Sequence, residues 1–184
     1  MYYACSYLYG QATGFRSHNY VYTKTGGNTK LSNIKFYPDV MDPTHMLIEL
    51  PYGKTHQLNS TSKETRHIKC SCNEGLCAVH EVAALVKNRY LKSTRRDRPL
   101  FLLADASPVS YYHLKETLRC LAELFDLDPK HYTPHCLRIG RATELHINGW
   151  SLPRIMKFMG WTSRKSAMKY IRPNNPVFVT FGME

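Results

Sequence analysis

Three short segments with strand character stand close together in the first half of the chain. They are Ile34–Tyr37, His45–Leu50 and Thr65–Cys70, and the last alternates with a period of two residues. A long polar hairpin loop, Pro51 to Glu64, separates the second from the third. Short neighbouring strands of this kind pair antiparallel. The pattern predicts a small antiparallel three-stranded sheet.

Helical patterns occupy the sequence on both sides of these strands. Glycines, N-cap residues and apolar stripes set their expected limits. The predicted helices are Tyr2–Gln11, Ser17–Lys24, Ala78–Tyr90, one capped by Ser110, one from Thr133-Pro134 to Gly149, Leu152–Met159 and Arg164–Ile171, and a last strand is predicted at Val177–Phe181. The fold class is therefore α+β, mostly helical with one small sheet.

Composition and net charge indicate which class of molecule the protein binds. The chain has 184 residues, 43% of them hydrophobic, and no apolar run approaches the roughly 18 residues that a membrane span needs. The opening MYYACSYLYG lacks a basic region and a cleavage site, so we expect no signal peptide and an intracellular protein with free thiols. Lys and Arg number 25 against 14 Asp and Glu, a net charge of +11. An excess of this size favours a nucleic-acid partner.

The basic residues concentrate in the last third of the chain. Between Pro129 and Arg172 there are nine Lys and Arg but one acid, Glu144. A merely solvated helical face usually carries interspersed acids, so some of these side chains are expected to contact DNA phosphates. The candidates are Arg141, Lys157, Arg164 and Lys165.

Two residues in this basic region form a pair whose chemistry suggests a function. His135 and Arg138 lie three residues apart on a predicted helix, hence on one face. An imidazole and a guanidinium do not satisfy each other, but both can bind a shared anion. The alternative from spacing alone is a surface arginine beside a histidine in a satisfied helix start.

Other residues extend the pattern along the chain. Tyr170 lies nine residues after Trp161, which follows Gly160. Arg16 closes the run Thr13-Gly14-Phe15-Arg16, just after the first helix, and Lys54 lies in the hairpin loop. In this order the sequence resembles the catalytic domain of the tyrosine recombinases, the phage-integrase-type site-specific recombinases.

The resemblance covers nearly the whole chain and implies a function. Residues 1–184 would form a recombinase catalytic domain without the family's N-terminal core-binding domain. Its expected activity is DNA strand cleavage and rejoining, without metal or cofactor, as a homotetramer on double-stranded DNA. The runs HCLRIGRAT and LCAVHEV resemble integrases of eukaryotic mobile elements of the DIRS and Crypton types, which implies a nuclear protein in a eukaryotic host.

The same resemblance assigns the site. Arg16 and Arg138 would clamp the phosphate, Tyr170 would attack phosphorus, and His135 would accept the proton. Lys54 would protonate the leaving oxygen, with Lys63 as its rival in the same loop. The implied catalytic set is Arg16, Lys54, His135, Arg138, Trp161 and Tyr170.

One departure from the family, one cluster of metal-binding residue types and two other functions stay open. Asn19 stands three residues after Arg16, where the family often has an acid. Cys70, Cys72, Cys77 and His80 suggest zinc, but their spacing fits no common finger, so we expect ordinary thiols and no metal. The alternative functions are a non-catalytic DNA-binding module and a type IB topoisomerase.

Overall fold

Alternating burial along the strands explains how the sheet forms. The computed structural model describes residues 2–23, 28–50, 64–72, 75–90 and 96–173. Strands β1 (Ile34–Tyr37), β2 (His45–Leu50) and β3 (Glu64–Lys69) pair antiparallel in the order β1-β2-β3. The predicted sheet is confirmed, and its third strand begins one residue earlier than expected. Most of the hairpin loop, residues 51–63, lies outside the described residues, as does the strand predicted at Val177–Phe181.

The described part of the chain also contains six α-helices. They are α1 (Tyr2–Thr13), α2 (Ala78–Tyr90), α3 (Tyr111–Leu124), α4 (Pro134–Ile147), α5 (Leu152–Met159) and α6 (Arg164–Met168). Ser110 caps α3 as predicted, its hydroxyl accepting from the His113 amide. None of these helices is both long and apolar enough to cross a membrane.

Two helices are shorter than the sequence predicts. The helix expected from Ser17 to Lys24 is a single 3-10 turn, Ser17–Asn19, within its described residues, because the Tyr22 amide donates instead to the Val109 carbonyl at 2.7 Å. Lys24 lies outside the described residues. Helix α6 ends at Met168 rather than Ile171. The segment that follows it is held against α4 by a threonine side chain, as described below.

Buried side chains form two clusters with the functional residues at their junction. In the first, Tyr9 of α1 meets the ring edges of Tyr20 and Phe101, at 5.7 and 5.3 Å between centroids. The second joins α4, α5 and α6 around Ile155. Phe158 of α5 packs against both clusters.

Candidate active site

Arg138 of α4 is the charged centre of this junction. Its side chain is 1% exposed, and its Nη2 donates to the Met159 carbonyl at 2.7 Å while Nη1 donates to the Gly14 carbonyl. Its Nε has no hydrogen-bond partner within the described part of the chain. Because both partners are neutral carbonyls, the guanidinium is held in place with its charge still available to an anion.

The turn after α1 brings its backbone close to the Met159 side chain of α5. Gly14 adopts a left-handed φ of 61°, and a Cβ there would lie 2.6 Å from Sδ of Met159. The Thr13 hydroxyl donates to the Tyr9 carbonyl at 2.7 Å and accepts from the Phe15 amide. This bracing fixes the backbone immediately before Arg16.

Tyr170 lies among the predicted catalytic side chains. Its ring centroid is 5.0 Å from that of His135 and 4.7 Å from that of Trp161. The Arg138 guanidinium carbon lies 5.9 Å from the Tyr170 centroid and 4.9 Å from the Trp161 centroid. The rings therefore cover the buried cation.

Thr143 fixes the segment that carries this tyrosine. It is fully buried on α4, where its Oγ1 donates to the Tyr170 carbonyl and accepts from the Arg172 amide, both at 3.1 Å. One hydroxyl thus ties the backbone on both sides of residue 171 to α4. Sequence reasoning did not identify Thr143 because a threonine inside a helix carries no pattern of its own.

An open cavity of about 330 Å³ lies beside these residues. Arg16, Lys169, Tyr170 and Trp161 line it, together with serines at the start of α6. The structure thus brings together positions 16, 135, 138, 161 and 170, the five predicted catalytic residues that it describes. Lys54 lies outside the described residues, as does Lys63.

Partial burial and neighbouring cations both disfavour the charged form of His135. Partial burial is the largest cause that lowers its pKa below the ordinary 6.5, and the charges of Arg138, Arg172 and Arg16 lower it further. A neutral imidazole can accept a proton at physiological pH.

The same crowding of charge acts on Arg138. Burial lowers its pKa to about 10, and Arg16 and Arg66 contribute, while Glu64 opposes the shift. Cations that disfavour one another's charge are stabilised when an anion binds among them. The charges around Arg138 are therefore ones that a bound anion would stabilise.

Glu64 and Arg66 of β3 are two charged residues that sequence reasoning missed. They are 7% and 4% exposed, and Arg66 Nη2 lies 2.7 Å from Glu64 Oε1. The second Glu64 oxygen, Oε2, accepts from Asn19 Nδ2 at 3.4 Å. Asn19 stands where the resemblance led us to expect an acid, so here the carboxylate comes from β3. The alternation along β3, which has a period of two residues, could have identified them. It places Glu64 and Arg66 on the same buried face as Ile68.

The predicted DNA-contacting residues differ in their surroundings. Arg141 Nη1 pairs with Glu144 Oε1 at 2.8 Å on the same helix. Lys157, Arg164 and Lys165 are exposed. These three side chains are accessible to a phosphate backbone, whereas Arg141 already has an acidic partner.

The cysteine cluster is brought together more closely than its spacing suggested. The donor atoms of Cys70, Cys72, Cys77 and His80 all lie within 4.8 Å of one another. The expectation of ordinary thiols came from the sequence spacing, which does not show how the end of a strand meets the start of a helix.

Comparison with known proteins identifies the family. Residues 42–176 match the model of the phage integrase family, a span that includes His135, Arg138, Trp161 and Tyr170. The chain belongs to that family. No curated protein matches it. As in other phage integrase family members, the fold is that of a tyrosine recombinase catalytic domain.

Solved structures of recombinases share this fold. The XerH site-specific recombinase bound to its difH substrate has a TM-score of 0.66 and 16% identity over 98% of this chain and 45% of that one. XerA recombinase has a TM-score of 0.61 and 20% identity over 98% of this chain and 54% of that one. The Tn1549 transposon integrase in complex with transposon right end DNA has a TM-score of 0.57 and 16% identity over 96% of this chain and 56% of that one. This phage integrase domain spans about half the length of those chains.

Proposed function

We propose that this chain is a site-specific DNA recombinase that cleaves and rejoins strands through a covalent 3′-phosphotyrosyl intermediate. The observation that carries the proposal is the position of Tyr170. Its ring lies against His135 and Arg138, and together with Arg16 and Trp161 it lines one open cavity. Structural buried arginines normally face carboxylates, whereas Arg138 faces carbonyls and aromatic rings. An arrangement of this kind is suited to a phosphodiester.

The chemistry follows from the positions of these groups. Tyr170 Oη attacks phosphorus, the bond from phosphorus to the 5′ oxygen breaks, and the phenolic proton passes to neutral His135. The 5′ oxygen leaves as a hydroxyl, with Lys54 proposed as its proton donor. The energy of the broken ester is kept in the phosphotyrosyl bond, so the 5′ hydroxyl of a second strand can reverse the step.

The two arginines have different tasks in this proposal. Arg16 lines the open cavity and meets the phosphate first. Arg138 lies behind the Tyr170 ring, so a movement of that ring towards phosphorus exposes the guanidinium to the non-bridging oxygens. Both charges then stabilise the negative charge that grows in the transition state, and losing either is expected to slow cleavage by roughly 10²-fold or more.

The proposal extends to partners and biological role. The net charge of +11 and the exposed Lys157, Arg164 and Lys165 support binding to double-stranded DNA. We propose a homotetramer on that DNA and a role in moving a mobile element of the DIRS or Crypton type, in the nucleus if the host is eukaryotic. A transposon integrase among the similar structures supports this role.

A nicked suicide substrate tests the reaction. Duplexes drawn from the sequences that flank the gene are incubated with the protein, and covalent adducts are separated on a denaturing gel. Wild type and the exposed control Tyr112→Phe are expected to form the adduct, and Tyr170→Phe is expected to form none. A full-strength adduct from Tyr170→Phe would overturn the assignment of the nucleophile. DNA binding without any adduct from wild type favours the non-catalytic module.

A further inference from the structure

We propose that Cys70, Cys72, Cys77 and His80 bind one structural zinc ion. Three thiols and one imidazole place their donor atoms within 4.8 Å of one another. This set of three sulfurs and one nitrogen is a common closed, tetrahedral zinc centre in proteins. The site is separate from the residues assigned to strand cleavage.

The distances between the donor atoms are close to those around a single zinc ion. Tetrahedral zinc with its usual bond lengths holds two sulfurs about 3.8 Å apart, and a sulfur and a nitrogen about 3.6 Å apart. The Cys70 sulfur lies 3.7 Å from that of Cys77 and 3.6 Å from His80 Nδ1. The Cys72 sulfur lies closer, 3.1 Å from Cys70 and 3.0 Å from His80 Nδ1. To complete the tetrahedron, Cys72 would move outward from Cys70 and His80 by several tenths of an ångström, and the most widely separated donors, up to 4.8 Å apart, would approach one another.

The burial of the donors suits a metal that enters from solvent. Cys77 is buried, Cys70 and His80 are half-buried, and Cys72 is exposed. Three ligands are thus held by the fold, while the fourth is the most adaptable and closes the site. The three cysteines are free thiols, and the 3.1 Å between Cys70 and Cys72 exceeds the roughly 2.05 Å of a disulfide.

The position in the fold gives the ion a structural task. Cys70 directly follows β3, Cys77 directly precedes α2, and His80 lies in the first turn of α2. Zinc would therefore join the end of the strand to the start of the helix. The other end of β3 carries Glu64 and Arg66, so the ion would also help to hold the strand that supplies this pair to the candidate active site.

Metal analysis of the wild-type chain tests the proposal directly. Protein purified without chelators and under reducing conditions is expected to contain one zinc per chain by mass spectrometry of the metal. Replacement by cobalt is expected to give the visible bands of a tetrahedral thiolate complex. Removal of the metal should lower the melting temperature by about 10 °C, the shift for a ligand present at roughly a thousandfold above its dissociation constant.

Two variants separate the site from incidental binding. Cys72→Ser removes the exposed ligand and is expected to lose the zinc and the cobalt bands. Cys120→Ser changes an exposed cysteine of α3 and is expected to keep both. Because the wild-type measurement needs no variant, a failure of Cys72→Ser to fold leaves the test intact.

Several outcomes would overturn the proposal. They are a metal-free wild-type chain that takes up no zinc when reduced, a Cys70–Cys72 disulfide in freshly purified protein, and a Cys72→Ser protein that retains its zinc with an unchanged spectrum. None of these results bears on strand cleavage, which is measured separately with the suicide substrate.

Discussion

Replacing Thr143 by valine tests how the nucleophile is held. Valine keeps the shape of threonine but removes the hydroxyl that donates to the Tyr170 carbonyl and accepts from the Arg172 amide. Each lost hydrogen bond favours release of the segment by about 0.5–1.5 kcal/mol. Two of them together amount to about 1–3 kcal/mol, which corresponds to a decrease of roughly 5- to 150-fold in the equilibrium constant for docking of the segment.

The assay is single-turnover adduct formation at saturating nicked DNA. Thr143→Val is expected to slow adduct formation by up to about that factor, because a smaller fraction of molecules holds Tyr170 near the phosphate. DNA affinity, measured by fluorescence anisotropy, should stay within about twofold of wild type, since Thr143 is fully buried. A change confined to the rate marks Thr143 as a positioning residue.

Two control variants complete this experiment. Thr143→Ser keeps the hydroxyl and should restore most of the rate. Thr117→Val removes a hydroxyl that donates within α3, to the His113 carbonyl at 2.9 Å, and should leave the rate unchanged. A folded Thr143→Val protein that cleaves as fast as wild type would refute the argument that these two bonds hold the tyrosine.

Three further predictions concern packing, charge and protonation. Gly14→Ala should destabilise the fold by about 2–4 kcal/mol, because its Cβ meets Met159 at 2.6 Å and its φ is positive; thermal melting measures the loss. Glu64→Gln should cost about 3–5 kcal/mol in a denaturant titration, since it leaves the buried Arg66 charge without its partner. In NMR titrations, His135 should titrate below 6.5 in the free protein and at a higher pH with duplex DNA, because phosphate offsets the surrounding cations.

Each of these predictions has a matched comparison. Gly149→Ala has a positive φ but open space around it, so it should cost less than the change at position 14. Glu144→Gln breaks a half-exposed pair and should cost less than about 1 kcal/mol. Arg172→Gln should raise the histidine pKa, because it removes one of the cations that lower it. Equal losses of stability at positions 14 and 149, or at positions 64 and 144, would contradict the first two predictions. An unchanged His135 pKa in Arg172→Gln would contradict the third.

Much of the fold could be predicted because local patterns determine it. Helix α2 begins at Ala78 and ends at Tyr90, as predicted, because its apolar stripe covers the same range. Ser110 begins α3 as an N-cap should. The helix predicted from Ser17 failed because Tyr22 pairs with Val109, more than eighty residues away in sequence. Local propensity cannot report a hydrogen bond of that range.

The candidate site could be predicted in part for the same reason. His135 and Arg138 share a helical face, so their spacing carried the signal. Glu64 depends on the register of β3, which turns its carboxylate towards Asn19 on another element. The cysteine cluster depends on how β3 leads into α2. Partners of this kind follow from tertiary packing, which the spacing of residues along the chain does not encode.

Mapping the covalent bond tests the central claim most directly. The chain has 13 tyrosines, and digestion of a trapped adduct with protease and nuclease leaves a peptide that carries a 3′-linked nucleotide. Tandem mass spectrometry should place that nucleotide on Tyr170. A nucleotide on any other residue would contradict the account.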